Sequence, residues 1–244
     1  MINLSTIILC GIIVACTHFI QGISGFGCAI LTLPFFTILV GIKAAVPIII
    51  ILSGISALLI IIIDSKNINW KIYLKMIFLI IIGIPIGMWF FSNLNSELLK
   101  KILALFMIVV SIRGLYNLFI LKSAMIKIPR FILNFFLFLG GILQGAFGTG
   151  GPIIVIIAKR FLREKRQFRV TLCMLWLTLN SIITTKNIFS GVIDMETLRF
   201  ILLILPFLLL GLISGNFIHH KLDRLFFTKV VYVVFLLAGV FMFL

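Results

Sequence analysis

Apolar positions along this chain fall in long unbroken stretches, not in the alternation of strands or the narrow stripes of soluble helices. Stretches approaching about 18–20 residues mark membrane-spanning helices. They predict helices over 4–20, 44–63, 72–91 and 98–120 in the first half, and over 131–144, 168–189, 197–217 and 226–244 in the second. Two shorter apolar segments, 28–42 and 151–158, each follow a cluster of glycines. The expected fold class is all-α, a polytopic membrane protein.

The two glycine clusters repeat each other. Residues 21–30 run Gln-Gly-Ile-Ser-Gly-Phe-Gly-Cys-Ala-Ile and residues 144–153 run Gln-Gly-Ala-Phe-Gly-Thr-Gly-Gly-Pro-Ile. At an offset of 123, Gln21, Gly22, Gly25, Gly27 and Ile30 match Gln144, Gly145, Gly148, Gly150 and Ile153. Further on, Gly87 and Leu94 match Gly215 and Leu222 at an offset of 128. Both offsets are near half of the 244 residues, which predicts a first transmembrane repeat over 1–121, a linker at 122–129 and a second repeat over 130–244. Each repeat is expected to hold a re-entrant or broken hairpin followed by three transmembrane helices.

Segment lengths place the breaks in depth. From Gly150 to Lys159 is about nine residues, or roughly 14 Å of helix, half of a hydrocarbon core about 30 Å thick. With Lys159 at the headgroups, Gly150 lies near the midplane. Non-helical backbone there must be buried in protein or line a wet cavity. A hairpin that enters and leaves on one side gives each repeat three net crossings, and an odd number inverts the second repeat relative to the first. With the linker in the cytoplasm, the tracts 66–75, 122–130, 159–169 and 221–229 put fifteen bases inside. Lys43, Lys100, Lys101, Lys186 and Arg199, five bases, remain outside. Positive charge favours the inside, so both termini are expected to be extracytoplasmic in a multi-pass protein of the cytoplasmic membrane.

Composition agrees and removes other classes. Hydrophobic residues make up 63% of the chain and charged ones 11%, with a mean hydropathy of +1.34. No soluble domain hides that much apolar surface. The stretch 2–20 lacks the basic start and cleavage site of a signal peptide and is expected to be a retained segment. The net charge of +15 lies in short tracts between apolar runs, so nucleic acid is not an expected partner. Cys10, Cys16, Cys28 and Cys173 lie in apolar segments without metal-ligand spacing; no metal or cofactor is expected.

A helix break frees the first backbone N–H groups of the following half-helix, whose dipole adds partial positive charge. Glycines let those amides approach a ligand, which suits an anion. Two breaks brought together would cradle a small anion between Gly22–Cys28 and Gly145–Gly151, with Gly25, Gly27, Gly148, Thr149 and Gly150 at the turns. The alternative is that the glycines only let helices pack closely.

The chain resembles the sulfite exporter TauE/SafE family of bacterial membrane proteins. The resemblance rests on the paired motifs at 22–27 and 145–151, on the Phe168-Arg169-x-Thr171 helix opening and on the repeat length, and it covers essentially the whole chain. Cys28 stands in the first motif where the second has Gly151, a departure that bears on substrate identity. The resemblance implies a secondary transporter, an exporter, of sulfite, sulfonates or related sulfur anions.

Single polar residues within the apolar segments have two readings each. Gln21 and Gln144 either donate to a substrate or cap the preceding helix. Thr171 and Asn180 either face the cavity or make interhelical hydrogen bonds. Arg113 either offers an anion counter-charge or snorkels to the surface. His18, one turn before Gln21, is a packed histidine or the leading candidate for proton coupling. Acidic residues all map to loops or helix ends, no nucleotide motif appears and no nucleophile–base set is present, so an enzyme is not expected. A passive anion channel and a carrier of small carboxylates stay open as alternatives, as does assembly into a homo-oligomer.

Overall fold

A computed structural model describes residues 3–24, 26–119, 129–162, 164–218, 232–233 and 236–242. Every regular element among them is helical. In chain order the α-helices are α1 (Leu4–Ser24), α2 (Cys28–Val40), α3 (Ile42–Asp64), α4 (Trp70–Asn93), α5 (Ser96–Phe119), α6 (Arg130–Phe147), α7 (Gly151–Phe161), α8 (Lys165–Phe189) and α9 (Met195–Ile218). A 3-10 turn, Ser65–Asn67, joins α3 to α4. Residues 232–233 and 236–242 are also helical and fall in the last expected segment. The expected linker, apart from Pro129, and His219 and His220 lie outside the described residues.

Six of these helices are long and apolar enough to cross a membrane: α1, α3, α4, α6, α8 and α9. Inside a bilayer a helix is the structure that satisfies its own backbone, so runs of Ile, Leu and Phe fold this way despite interior prolines at 34, 47, 85 and 206. Large side chains such as Phe78, Phe131 and Phe217 face outward, as a lipid-facing surface requires. The chain is a polytopic helical membrane protein. By contrast α2 and α7 have 13 and 11 residues, roughly 20 and 16 Å, too short to span.

The helices pair in an exchanged pattern. The central contact is α3 on α8, flanked by α1 on α9 and α4 on α6. Backbones touch where glycines remove the side chain. A methyl on Gly215 would strike the Phe19 carbonyl, and one on Gly87 would strike the Ile142 carbonyl. Gly22 lies in the same way against the Leu212 carbonyl, and Gly145 against that of Ile84. Each pair converts into the other by the offsets of 123 and 128 read from the sequence.

Basic residues separate to the two ends of the helices. At the end where α3 stops and α4 and α8 start, Arg166 Nε pairs with Asp64 Oδ1 at 2.7 Å and Lys75 lies over the Phe161 ring. Asn69 caps α4 there, its side chain accepting from the Ile72 N–H at 3.1 Å. At the other end Lys43 donates to the Phe91 carbonyl and Lys186 reaches the Ser92 hydroxyl. Among the described residues, Lys75 and Arg166 thus lie at one end, and Lys43 and Lys186 at the other.

Candidate functional site

Each break begins later than its first glycine. α1 runs through Gln21 and Gly22 to Ser24, and α6 runs through Gln144 and Gly145 to Phe147. Gly22 and Gly145 are therefore helical residues at close helix crossings, while the described backbone leaves the helix at 26–27 and 148–150. Gly25 lies outside the described residues. Gly27 at φ 101° and Gly148 at φ 66° hold left-handed conformations that L side chains rarely adopt. Gly148 closes α6 by donating its N–H to the Gln144 carbonyl at 2.8 Å.

The short helices then start beside each other. The first backbone bonds are Leu31 N–H to the Gly27 carbonyl at 3.1 Å and Ile154 N–H to the Gly150 carbonyl at 3.3 Å. The N–H groups of Cys28, Ala29 and Ile30 in α2, and of Gly151 and Ile153 in α7, have no acceptor within their own helices. Pro152, at a position where no donor is needed, fits the start of α7.

The two glutamines tie the ends of α1 and α6 to the long helices, and Gln144 also holds the start of α7. Gln144 accepts from the Gly150 N–H through Oε1 at 2.9 Å and donates from Nε2 to Asn180 Oδ1 of α8 at 2.8 Å. Gln21 Oε1 accepts from the Ser56 hydroxyl of α3 at 2.7 Å. In each half the residue before the break is tied to the next long helix, and both glutamines are buried.

Between the breaks lies a cavity of about 40 Å³. Gln21, Phe26, Gly27, Cys28, Ala29 and Ile30 line it from the first break, and Gln144, Gly148, Thr149 and Gly151 from the second. Ser53 of α3 and Trp176 of α8 complete the wall. A water needs roughly 10–15 Å³ in this measure, so the space suits about three water-sized groups. The Thr149 hydroxyl, 2% exposed, has no hydrogen-bond partner among the described residues. A methyl on Gly151 would point toward the Trp176 ring with the nearest atoms 4.0 Å away.

No lining side chain carries a charge. Attraction for a ligand there comes from two helix N-termini, hydroxyls and amides, a donor set matched to a small anion.

The remaining expected residues are not in the cavity wall. Asn180 stands behind Gln144, and Gly150 turns its N–H to the same side chain. Thr171 accepts from the Asn69 N–H at 3.0 Å near the basic end. His18 is buried on α1, with Nδ1 2.9 Å from the Val14 carbonyl. Its Nε2 has no hydrogen-bond partner among the described residues. Arg113 is exposed on α5. Cys16 also faces outward, whereas Cys10, Cys28 and Cys173 are buried. Ser53, Ser56 and Trp176 join the site only through the folding of α3 and α8 against the breaks, and no local motif singles them out; Phe26 lies within the first glycine motif.

A helical membrane bundle with two short half-helices meeting at a small neutral cavity is the class these features define. The chain belongs to the sulfite exporter TauE/SafE family, whose model matches residues 8–242. It is similar to the "Probable inner membrane transporter protein TsaS" of Comamonas testosteroni, with 25% identity over 154 residues. That match spans 63% of this chain and 63% of the relative's length. No solved structure matches the chain.

Proposed function

We propose that this protein is a secondary transporter that exports small sulfur oxyanions, sulfite or sulfonates, by binding them between the two helix breaks. The observation that carries the reading is the cavity itself. It is neutral, sized for a few heavy atoms, and lined by the N-termini of α2 and α7 with an unengaged Thr149 hydroxyl. Membership of a family named for sulfite export supports the substrate class and direction, and the relative's name supports transport across an inner membrane.

The exchanged helix contacts support two inverted repeats, over 1–121 and 130–244, as the scaffold. In transporters of that design the substrate sits between broken helices near the midplane while one repeat rocks against the other. The basic end carrying Lys75 and Arg166 faces the cytoplasm on this reading, by the preference of Lys and Arg for that side. His18, one turn from Gln21 on α1, is the residue assigned to proton coupling.

A binding screen of the purified protein tests the proposal, using sulfite, thiosulfate, short sulfonates, sulfate and small carboxylates. Saturable binding of a sulfur oxyanion, lost in Gly150→Leu, is the expected outcome. Gly150 lies against the Gly140 carbonyl and the Gln144 side chain, so a bulky residue there must displace the break. Preference for carboxylates would redirect the substrate class, and binding unaltered in Gly150→Leu would remove the site.

A further inference from the structure

The cavity is neutral, yet a buried cation stands beside it. Arg169 lies one turn inside the start of α8, 8% exposed. Its Nη2 donates to Asn216 Oδ1 of α9 at 2.9 Å, and its Nε has no hydrogen-bond partner among the described residues. No carboxylate among those residues pairs with it. Asp64 acts on it only at longer range, because its Oδ1 is held by Arg166. A guanidinium buried in a membrane protein without a counter-ion is costly and marks a functional position.

Its place in the fold says which function. Arg169, Cys173 and Trp176 recur at helical spacing on one face of α8, and Trp176 is a wall of the cavity. Seven residues separate Arg169 from Trp176, roughly 10 Å along the axis. Phe168 meets Phe26, another wall residue, edge-on at 6.3 Å. Asn216, which holds the guanidinium, also packs against Gly22 at the end of α1. On the other side Lys165 and Arg166 are exposed at the basic end. Arg169 thus sits between the neutral cavity and that end.

We propose that Arg169 is an anion-binding station on the route between the cavity and the basic end, its Nε–H taking one oxygen of an oxyanion such as sulfite or a sulfonate. This rests on the reading that the cavity holds such an anion. Guanidinium N–H groups match the several equivalent oxygens of these groups. A charge one step away from the cavity draws the anion inward, and the neutral donors of the cavity then hold it without the grip of a fixed cation.

The test uses the full chain, with sulfite uptake into proteoliposomes and sulfite binding by calorimetry in detergent. In Arg169→Gln, KM for uptake is expected to rise at least tenfold while binding to the cavity stays within threefold of wild type. Arg169→Lys keeps the charge and is expected to transport within fivefold of wild type. Asn216→Ala keeps the guanidinium and is expected to lie in the same range. The wild-type KM should rise with ionic strength, and that of Arg169→Gln should not.

Wild-type KM in Arg169→Gln overturns the station. So does an Asn216→Ala variant as impaired as Arg169→Gln, or an Arg169→Lys variant that gives no rescue, since either reduces Arg169 to a structural tie. If Arg169→Gln does not fold, the Lys and Ala variants decide by the same criteria. Failure of the wild type to bind or move sulfite overturns the underlying reading instead, and is told apart because no variant is needed to see it.

Discussion

Gln144 and Asn180, buried amides on α6 and α8, share a 2.8 Å hydrogen bond, and the other end of the Gln144 amide holds the Gly150 N–H at 2.9 Å. One side chain therefore fixes the end of a helix, the turn that follows it and a neighbouring long helix.

Gln144→Leu removes both bonds and leaves a buried N–H and a buried amide oxygen without partners. Each such orphan costs about 1–3 kcal/mol, so a total loss of about 2–6 kcal/mol is expected. Asn180→Ala breaks only one of the two and should cost less. Thermal denaturation of the purified variants checks the order. Equal melting of both variants and wild type would show that the bridge does not hold the break.

The paired crossings make a second expectation. Gly87→Ala and Gly215→Ala each place a methyl on a neighbouring carbonyl, at Ile142 and Phe19. Overpacking of this kind costs about 1–3 kcal/mol, and the two variants should be destabilised alike. Gly54→Ala is the control, since its methyl would lie 3.6 Å from the Asn180 Cβ in ordinary contact. Stability unchanged in Gly87→Ala but lost in Gly54→Ala would contradict the crossings.

Much of this was legible in the sequence because membrane helices advertise themselves by length and composition. The expected segments at 44–63, 72–91 and 168–189 correspond to α3, α4 and α8 with ends shifted by a few residues. The glycine repeat pointed to both breaks. It did not separate turn glycines from packing glycines, since Gly22 and Gly27 look identical in sequence until α9 is placed against α1. Ser53 and Trp176 gave no signal, because their part in the cavity depends on α3 crossing α8. Arg169 was visible within a motif, but its burial and its bond to Asn216 of α9 come only from the folded arrangement around α8.

Orientation is testable by labelling. In a variant with Cys10, Cys16, Cys28 and Cys173 replaced by alanine, Lys186→Cys should react with a membrane-impermeant thiol reagent in intact cells. Arg166→Cys should react only after permeabilisation. The reverse pattern would turn the protein over in the membrane and put the basic end outside.

His18→Asn should leave anion binding at fixed pH within about threefold of wild type, because His18 is not in the cavity wall. It should abolish the response of transport to an imposed proton gradient. Proteoliposome uptake with and without the gradient measures this, and a gradient response retained in full would end the proton-coupling role.

The central claim is that a small anion occupies the space between the two breaks, and filling that space is its most direct test. Gly151→Ala adds a methyl toward Trp176 where nothing closer than 4.0 Å opposes it, so the fold should survive while the cavity of about 40 Å³ shrinks. Calorimetric titration of sulfite into wild type and Gly151→Ala, both confirmed to melt within a few degrees of each other, should show affinity falling at least tenfold in the variant. Equal affinity in the two proteins would mean that the anion binds elsewhere.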